Sequence, residues 1–331
     1  MKVQKMMLSV KNLSVAYEPK HLSFKNNYAL NKAVRDVSFE IYNGEAFGLI
    51  GESGCGKTTT AKAVCGLLNY SGSIELGGNE LSTLSRKQNS AEIQMIFQNP
   101  YSSLNPMMSI KRILEEPLII QGNCSSKERL EKVKAMLNTI GLDESYLSRF
   151  VRELSGGQRQ RIAIGCALML SPKLIVADEI LSALDVSVQS TILNMLSTLH
   201  KEMKVAFLFI SHDINVVSYF CDRIAVMYSG EIVEIGNSVD LYNHPLHPYT
   251  AALIQAVPRM DKMIGKTDPT VSNEKAHSQG CKYAKYCPKW KDVCLSGEIP
   301  LIEVGNRKVR CRQIEEREVV KHGDEKLPNR Y

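Results

Sequence analysis

Tryptophan is almost missing from this chain of 331 residues, which has one, and aromatic residues together make up 7%. No apolar stretch approaches the roughly 18–20 residues that a membrane span requires. The longest candidates, Ile162–Leu170 and Val205–Ile210, are the size of core elements. Met1-Lys2-Val3-Gln4-Lys5 is not followed by the apolar stretch of a signal peptide, so any work at a membrane would be peripheral and held there by something else. No internal repeat and no long low-complexity tract is present. The formal net charge is +6, and from Pro258 onward 16 Lys/Arg stand against 11 Asp/Glu, which places +5 of it in the C-terminal segment. No long basic helix or aromatic platform accompanies that excess, so it is read as a solvated face and no nucleic-acid partner is expected. Hydrophobic content of 44% and charged content of 23% are those of a globular protein with ample core, as one large domain or two smaller ones.

Nine cysteines without an export signal indicate a reducing compartment, where they serve as thiols or ligands. Cys55, Cys65, Cys124, Cys166 and Cys221 are scattered; Cys281, Cys287, Cys294 and Cys311 are crowded into the tail.

What the chain does have is Gly51-Glu52-Ser53-Gly54-Cys55-Gly56-Lys57-Thr58, a complete G-x-x-x-x-G-K-[ST] phosphate loop followed by Thr59. A short apolar run, Glu45–Ile50, leads into it and a helix-compatible stretch to Leu68 follows, the strand–loop–helix context that the motif needs. Leu8–Tyr17 and Val34–Ile41 alternate as strands, with a polar insertion, Glu18–Asn31, between them. Ser73–Leu76 and Ile93–Phe97 read as further strands, and Pro100–Leu154 as an inserted helical subdomain. A helix then runs from Gly156 to Leu170, followed by a strand at Leu174–Ala177, a helix at Val186–Met203, a strand at Val205–Ser211 and a helix at Ile214–Cys221. Ile224–Tyr228 and Glu231–Glu234 read as a hairpin through Ser229-Gly230. Continuous apolar strands alternating with helices predict a largely parallel sheet covered on both faces. His244-Pro245-Leu246-His247-Pro248 marks the approach to a domain end, and Asp261–Ser278 is linker-like.

Converging backbone N–H groups of the glycine loop, at the positive end of the following helix, suit phosphate oxygens. Lys57 brings a point charge to the β- and γ-phosphates, and Thr58 a hydroxyl to Mg²⁺. Leu174–Ala177 delivers Asp178 and Glu179 at its C-terminal end. Neighbouring residues point in different directions, so the two carboxylates are expected to divide the work, Asp178 holding Mg²⁺ through water and Glu179 polarising the attacking water.

Together with Leu154-Ser155-Gly156-Gly157-Gln158, these residues resemble the ATP-binding subunits of ABC transporters over residues 8–257. The resemblance implies an α/β fold: a RecA-like phosphate-loop core, an antiparallel β subdomain and an inserted helical subdomain at about 100–160, in an ATPase domain of residues 1–257. A small cysteine-rich extension, 258–331, completes the chain. It implies that Ser155, Gly156, Gly157 and Gln158 bind the γ-phosphate of ATP held by the opposite subunit. Gln98 would touch Mg²⁺ and sense a membrane partner, Asp185 in Ser182–Asp185 would link the two active sites, and His212 would contact the γ-phosphate and position Glu179. Tyr17 is the choice for the aromatic stacked on adenine, with Tyr28 as its rival. The sequence departs from the family pattern at Ile180-Leu181, where proline and a small residue are usual, and at Gly165-Cys166, where Ala-Arg is usual. Neither change removes a phosphate or metal ligand.

Phe97–Pro106, Ser182–Gln189 and Leu246–Thr250 look like the oligopeptide/dipeptide/nickel branch of importers. That likeness implies a heterodimer with a sister ATPase, two membrane permease subunits, an extracytoplasmic substrate-binding protein, and a peripheral place on the cytoplasmic face of the membrane. The cargo is expected to be di- or oligopeptides, with nickel or a metal chelate as the alternative. A non-transport ATPase of this design working on nucleic acid or ribosomes fits less well, since the chain has neither a long coiled coil nor a second cassette. The tail spacing C-x5-C-x6-C-x16-C lacks the paired C-x2–4-C usual for zinc. Four thiolates can also hold a 4Fe-4S cluster, which the resemblance implies, with Pro288 after Cys287 as in its pattern; zinc and plain reduced thiols stay open. Lys282, Lys285, Lys289, Lys291, Arg310 and Arg312 would offset the negative charge of a thiolate-bound cluster.

Overall fold

The computed structural model describes residues 5–17, 31–122, 124–256 and 280–314. Tyr28, nearly all of the polar insertion and the Asp261–Ser278 segment lie outside the described residues. The strands are β1 (Met6–Tyr17), β2 (Asn31–Tyr42), β3 (Ala46–Ile50), β4 (Ser71–Leu76), β5 (Asn79–Glu80), β6 (Ile93–Ile96), β7 (Leu174–Asp178), β8 (Ala206–Ser211), β9 (Arg223–Tyr228), β10 (Glu231–Asn237), β11 (Ile302–Val304) and β12 (Arg307–Val309). They form a four-stranded antiparallel sheet, β2-β1-β4-β5, and an eight-stranded sheet, β11-β12-β10-β9-β3-β8-β7-β6. In the large sheet β9, β3, β8, β7 and β6 run parallel, and β10, β12 and β11 extend it antiparallel.

The central strands are apolar along nearly their whole length, polar only at their ends, because both their faces are covered. In β3, Ala46 and Ile50 join Ile175, Ala177, Phe207 and Phe209 in one core layer under the helices. Phe47 and Leu49 join Val176, Leu208 and Ile210 in a second layer against Leu8, Val10, Val34 and Val37 of the small sheet. The period-two alternation of side chains thus deals one strand's residues to two cores. The helix Lys57–Val64 packs into the second layer through Ala61, Ala63 and Val64. It stops short of Leu68 because Gly66 turns out at φ +70°.

The segment Pro100–Leu154, expected as an inserted helical subdomain, holds the helices Ile110–Gln121 and Ser126–Thr139, and the helix Gly156–Leu168 follows it. Ser125 and Ser155 open the second and third with capping boxes completed by Glu128 and Gln158. The departure at Gly165-Cys166 has a packing cause. A Cβ at position 165 would sit 3.0 Å from Ile140 Cδ1 and 3.3 Å from Met136 Cγ, so glycine lets two helices approach. Ile180 and Leu181, at the other departure, are buried in the same core.

Elements that escaped the sequence reading include the helices Arg86–Glu92, Ser238–Asn243 and Pro248–Gln255 and one hairpin. Residues 302–309 form a hairpin, β11–β12, whose β12 pairs with β10 through Glu234↔Val309 and Ile235↔Lys308. The C-terminal extension therefore continues the main sheet.

Candidate active site

In a parallel sheet the loops beyond the carboxyl ends of the strands share one edge, where ligands bind. Here β3 ends at Ile50 before the glycine loop, β6 at Ile96 before Gln98, β7 at Asp178 and β8 at Ser211 before His212. Since β3, β8, β7 and β6 are neighbours in that order, four segments distant in sequence meet at one rim.

The loop fits its place only with glycine at two points. At Gly51 a Cβ would lie 2.1 Å from the Met227 carbonyl oxygen, and at Gly56 (φ +112°) 2.6 Å from that of Ala33. Glu52, Ser53 and Gly54 are exposed at the tip, whereas Cys55 and Lys57 are buried. Lys57 Nζ donates to the carbonyls of Gly51 (2.7 Å) and Glu52 (2.9 Å) and lies 3.8 Å from Glu179 Oε1. Burial pushes the Cys55 thiol up, and the neighbouring Lys57 charge opposes that rise.

Asp178 and Glu179 do diverge. Thr58 Oγ1 donates to Asp178 Oδ1 at 3.1 Å, which brings together the hydroxyl and the carboxylate expected to serve Mg²⁺. Burial raises the Asp178 carboxyl, and the bond from Thr58 opposes that rise. Glu179 adopts φ +48°, a left-handed conformation costly for a non-glycine residue and characteristic of functional positions. Its N–H bonds Ile210 O at 2.9 Å. Its Oε2 accepts from Gln98 Nε2 at 3.1 Å and stands 3.5 Å from His212 Nδ1. The sequence placed Gln98 on the metal; in this structure it steadies the carboxylate. His212 is more than half exposed, free to face an arriving ligand.

Tyr17 lies beside the cradle, its hydroxyl 3.2 Å from Thr59 Oγ1 and its ring half-exposed. Ser155 and Gly156 are exposed at the start of the helix Gly156–Leu168. Gln158 is spent locally, its Oε1 accepting from Ser155 N and its Nε2 donating to Tyr146 Oη. Among the described residues no hydrogen bond or ion pair joins Ser155–Gln158 to the chain's own phosphate loop. Asp185 is exposed before the helix Val186–Met203, in a loop braced by Gln189 Nε2 on the carbonyls of Leu181 and Leu184.

In the extension, Cys281, Cys287, Cys294 and Cys311 all line one small cavity, together with Trp290, His247 and Pro248. Burial, and then the neighbouring cysteines, push the Cys281 thiol up to about 11. Cys287 and Cys311 are raised mainly by burial. Arg310 and Arg312, expected to balance charge, donate to backbone carbonyls at Ile232, Ile299, Ser296 and Glu298 and so knit the extension together. Among the described residues, no three His, Cys, Asp or Glu side chains are grouped to hold a metal ion.

The sequence reading missed a contact behind the loop. The hydroxyl of Tyr249, fully buried, accepts from Glu52 N at 3.0 Å. Burial also lowers His247 to about 4, a neutral ring whose Nδ1 accepts from Tyr249 N at 3.1 Å.

Comparison with known proteins agrees with this geometry. Residues 34–182 match the ABC transporter family, and residues 233–294 match the oligopeptide/dipeptide transporter C-terminal region. The oligopeptide transport ATP-binding protein OppF of Haemophilus influenzae is 42% identical over 317 residues, covering 92% of this chain and 95% of that protein. The di/tripeptide transport ATP-binding protein DppF of Pseudomonas aeruginosa is 40% identical over 319 residues, covering 94% and 98%. Among solved structures, the dimeric ATP-binding cassette MJ0796 bound to ADP and Pi has a TM-score of 0.61 at 28% identity over 70% of this chain and 99% of its own. The protein cbiO1 from Clostridium perfringens, part of the ABC transporter complex cbiONQ, has a TM-score of 0.63 at 25% identity over 73% and 92%. The chain belongs to the ATP-hydrolysing subunits of ABC transporters, in the oligopeptide/dipeptide branch.

Proposed function

We propose that this chain hydrolyses ATP to drive import of di- and oligopeptides, paired with a sister ATPase beneath two membrane permeases served by an extracytoplasmic binding protein. The observation that carries the catalytic part is the convergence of Lys57, Thr58, Asp178, Glu179, Gln98 and His212 on one rim. The peptide cargo rests on relatives that are oligopeptide and di/tripeptide transport ATP-binding proteins at about 40% identity; those names do not favour nickel. No described helix is long and apolar enough to cross a membrane; the place proposed for the chain, on the cytoplasmic face beneath the permeases, rests on its family.

In this reading Gly51–Thr59 cradles the triphosphate, its N–H groups and Lys57 meeting the charge that spreads over the phosphoryl oxygens. Thr58 and Asp178 fit Mg²⁺, which supplies charge neutralisation at the β- and γ-phosphates when bound. Glu179 takes the proton from the attacking water, held by Gln98 and watched by His212. Tyr17 stands where adenine would stack. Ser155 and Gly156, detached from their own loop, cap the ATP of the neighbour, and Asp185 lies between the two sites. The permeases are expected near Gln98 and the helical insertion. A reconstituted transporter should hydrolyse ATP faster with peptide-loaded binding protein than with empty binding protein. Stimulation by nickel or a metal chelate and none by peptide would transfer the chain to the rival cargo.

We propose that the four cysteines of the extension hold a 4Fe-4S cluster, on the support of their convergence on one cavity beside Trp290. The tail spacing C-x5-C-x6-C-x16-C lacks the paired C-x2–4-C usual for zinc. A cluster would supply a covalent pin for the tail, and a pin is the role proposed. Anaerobically purified protein is expected to carry about four irons per chain with broad visible absorption. Each of Cys281→Ser, Cys287→Ser, Cys294→Ser and Cys311→Ser should bleach that absorption, and zinc in place of iron on elemental analysis would reverse the assignment.

A further inference from the structure

The phosphate loop is held from behind by a residue outside the nucleotide motifs. The Gly51 carbonyl and the Glu52 N–H are the two ends of one planar, rigid peptide unit. Lys57 Nζ takes the carbonyl end at 2.7 Å, and Tyr249 Oη takes the N–H end at 3.0 Å. Each bond polarises the peptide in the sense that strengthens the other. A peptide fixed at its N–H end presents its carbonyl in one direction, and that direction helps to set where the lysine charge stands.

Tyr249 is itself immobilised. Its ring lies 4.5 Å from that of Tyr228 on β9 and 5.3 Å from that of Tyr283, which is also 5.4 Å from Tyr228. Tyr283 comes from the extension, between Cys281 and Cys287. The backbone of the same turn is tied down as well, because Glu234 accepts from the N–H groups of Leu246 and His247. Ring packing alone would ask only for phenylalanine at position 249. The hydroxyl is separable from that packing and is spent on the phosphate loop.

We propose that Tyr249 is a positioning residue for nucleotide binding: its hydroxyl orients the Gly51–Glu52 peptide that locates Lys57, and Tyr283 makes this setting depend on the C-terminal extension. The proposal rests on Lys57 being the phosphate-binding lysine. It predicts a loss in affinity larger than any loss in chemistry, since the change acts through Lys57 and leaves Asp178 and His212 in place.

The test is equilibrium titration of the full chain with Mg·ATP and Mg·ADP, and steady-state hydrolysis by the assembled transporter. Tyr249→Phe should weaken both nucleotides roughly five- to thirtyfold, the effect of one lost buried hydrogen bond. The KM for ATP should rise by a similar factor, and kcat at saturation should fall by less than KM rises. Tyr283→Leu should move affinity in the same direction by a smaller factor, about two- to fivefold, and carries the test if Tyr249→Phe fails to fold. Wild-type affinity in either folded variant overturns the proposal, and so does a fall in kcat at unchanged KM. Lys57→Ala separates the two levels. If it abolishes binding while Tyr249→Phe binds normally, only the positioning role is lost; if it binds as the wild type does, the nucleotide site itself is misplaced.

Discussion

Glu179→Gln should lower steady-state phosphate release roughly a hundred- to ten-thousandfold, the range that a positioned general base contributes, while ATP still binds. The substitution keeps the length of the side chain and an oxygen that can accept from Gln98, as Glu179 Oε2 does at 3.1 Å. It removes the negative charge 3.8 Å from Lys57 and the only function that an amide cannot replace, acceptance of a proton. The phosphate cradle, built from Gly51–Thr58 and Asp178, keeps all its groups. ATP should therefore accumulate uncleaved in a closed pair of subunits, seen as an ATP-dependent increase in mass when the variant is mixed with its partner. Undiminished phosphate release would show that another residue activates the water. His212→Ala offers a graded comparison, because His212 stands 3.5 Å from Glu179 and not in its place.

The nucleotide rim was readable in the sequence because each of its parts is coded locally. A glycine loop needs glycine where a carbonyl sits 2.1 Å from the missing Cβ, and an apolar run such as Leu174–Ala177 must end in the residues it delivers. The left-handed turn at Glu179 was not readable, since nothing in Ala177-Asp178-Glu179-Ile180 codes φ +48°; the surrounding fold imposes it. The bond from Gln98 to Glu179 also escaped, because the motif names a residue and not its neighbour in the fold. The β11–β12 hairpin did leave a signal: Val304-Gly305-Asn306-Arg307 is a two-residue Gly-Asn turn between alternating residues. Tyr249 was seen only as part of a family-like string, since a contact between residues 52 and 249 has no local trace.

Glu234→Ala should destabilise the protein by about 3–5 kcal/mol, the cost of removing one partner from a buried ion pair, and should free the extension first. Glu234 is fully buried in β10. Its Oε1 accepts from Leu246 N at 3.0 Å, its Oε2 from His247 N at 2.9 Å, and Arg307 Nη1 of β12 stands 3.7 Å away. Alanine would leave two backbone N–H groups without their acceptor and remove the carboxylate beside Arg307, whose guanidinium keeps its bond to the His244 carbonyl. Hydrogen exchange should therefore rise in 302–309 at denaturant concentrations where β3, β7 and β8 stay protected. Burial holds the Glu234 carboxyl above its ordinary 4.5, opposed by the two N–H bonds and by Arg307. The folded state consequently keeps its proton to higher pH than the unfolded chain does. Its contribution to stability is full below 4.5 and shrinks as pH rises through the raised value. Glu234→Gln should abolish that slope yet remain less stable than the wild type, because its NH2 group must face a donor. If Glu234→Ala and Arg307→Met were additive in a double-mutant cycle, the pair would not be coupled. The hairpin would then be held by its strand pairing with β10, and Tyr283 would keep its hold on Tyr249 without help from this ion pair.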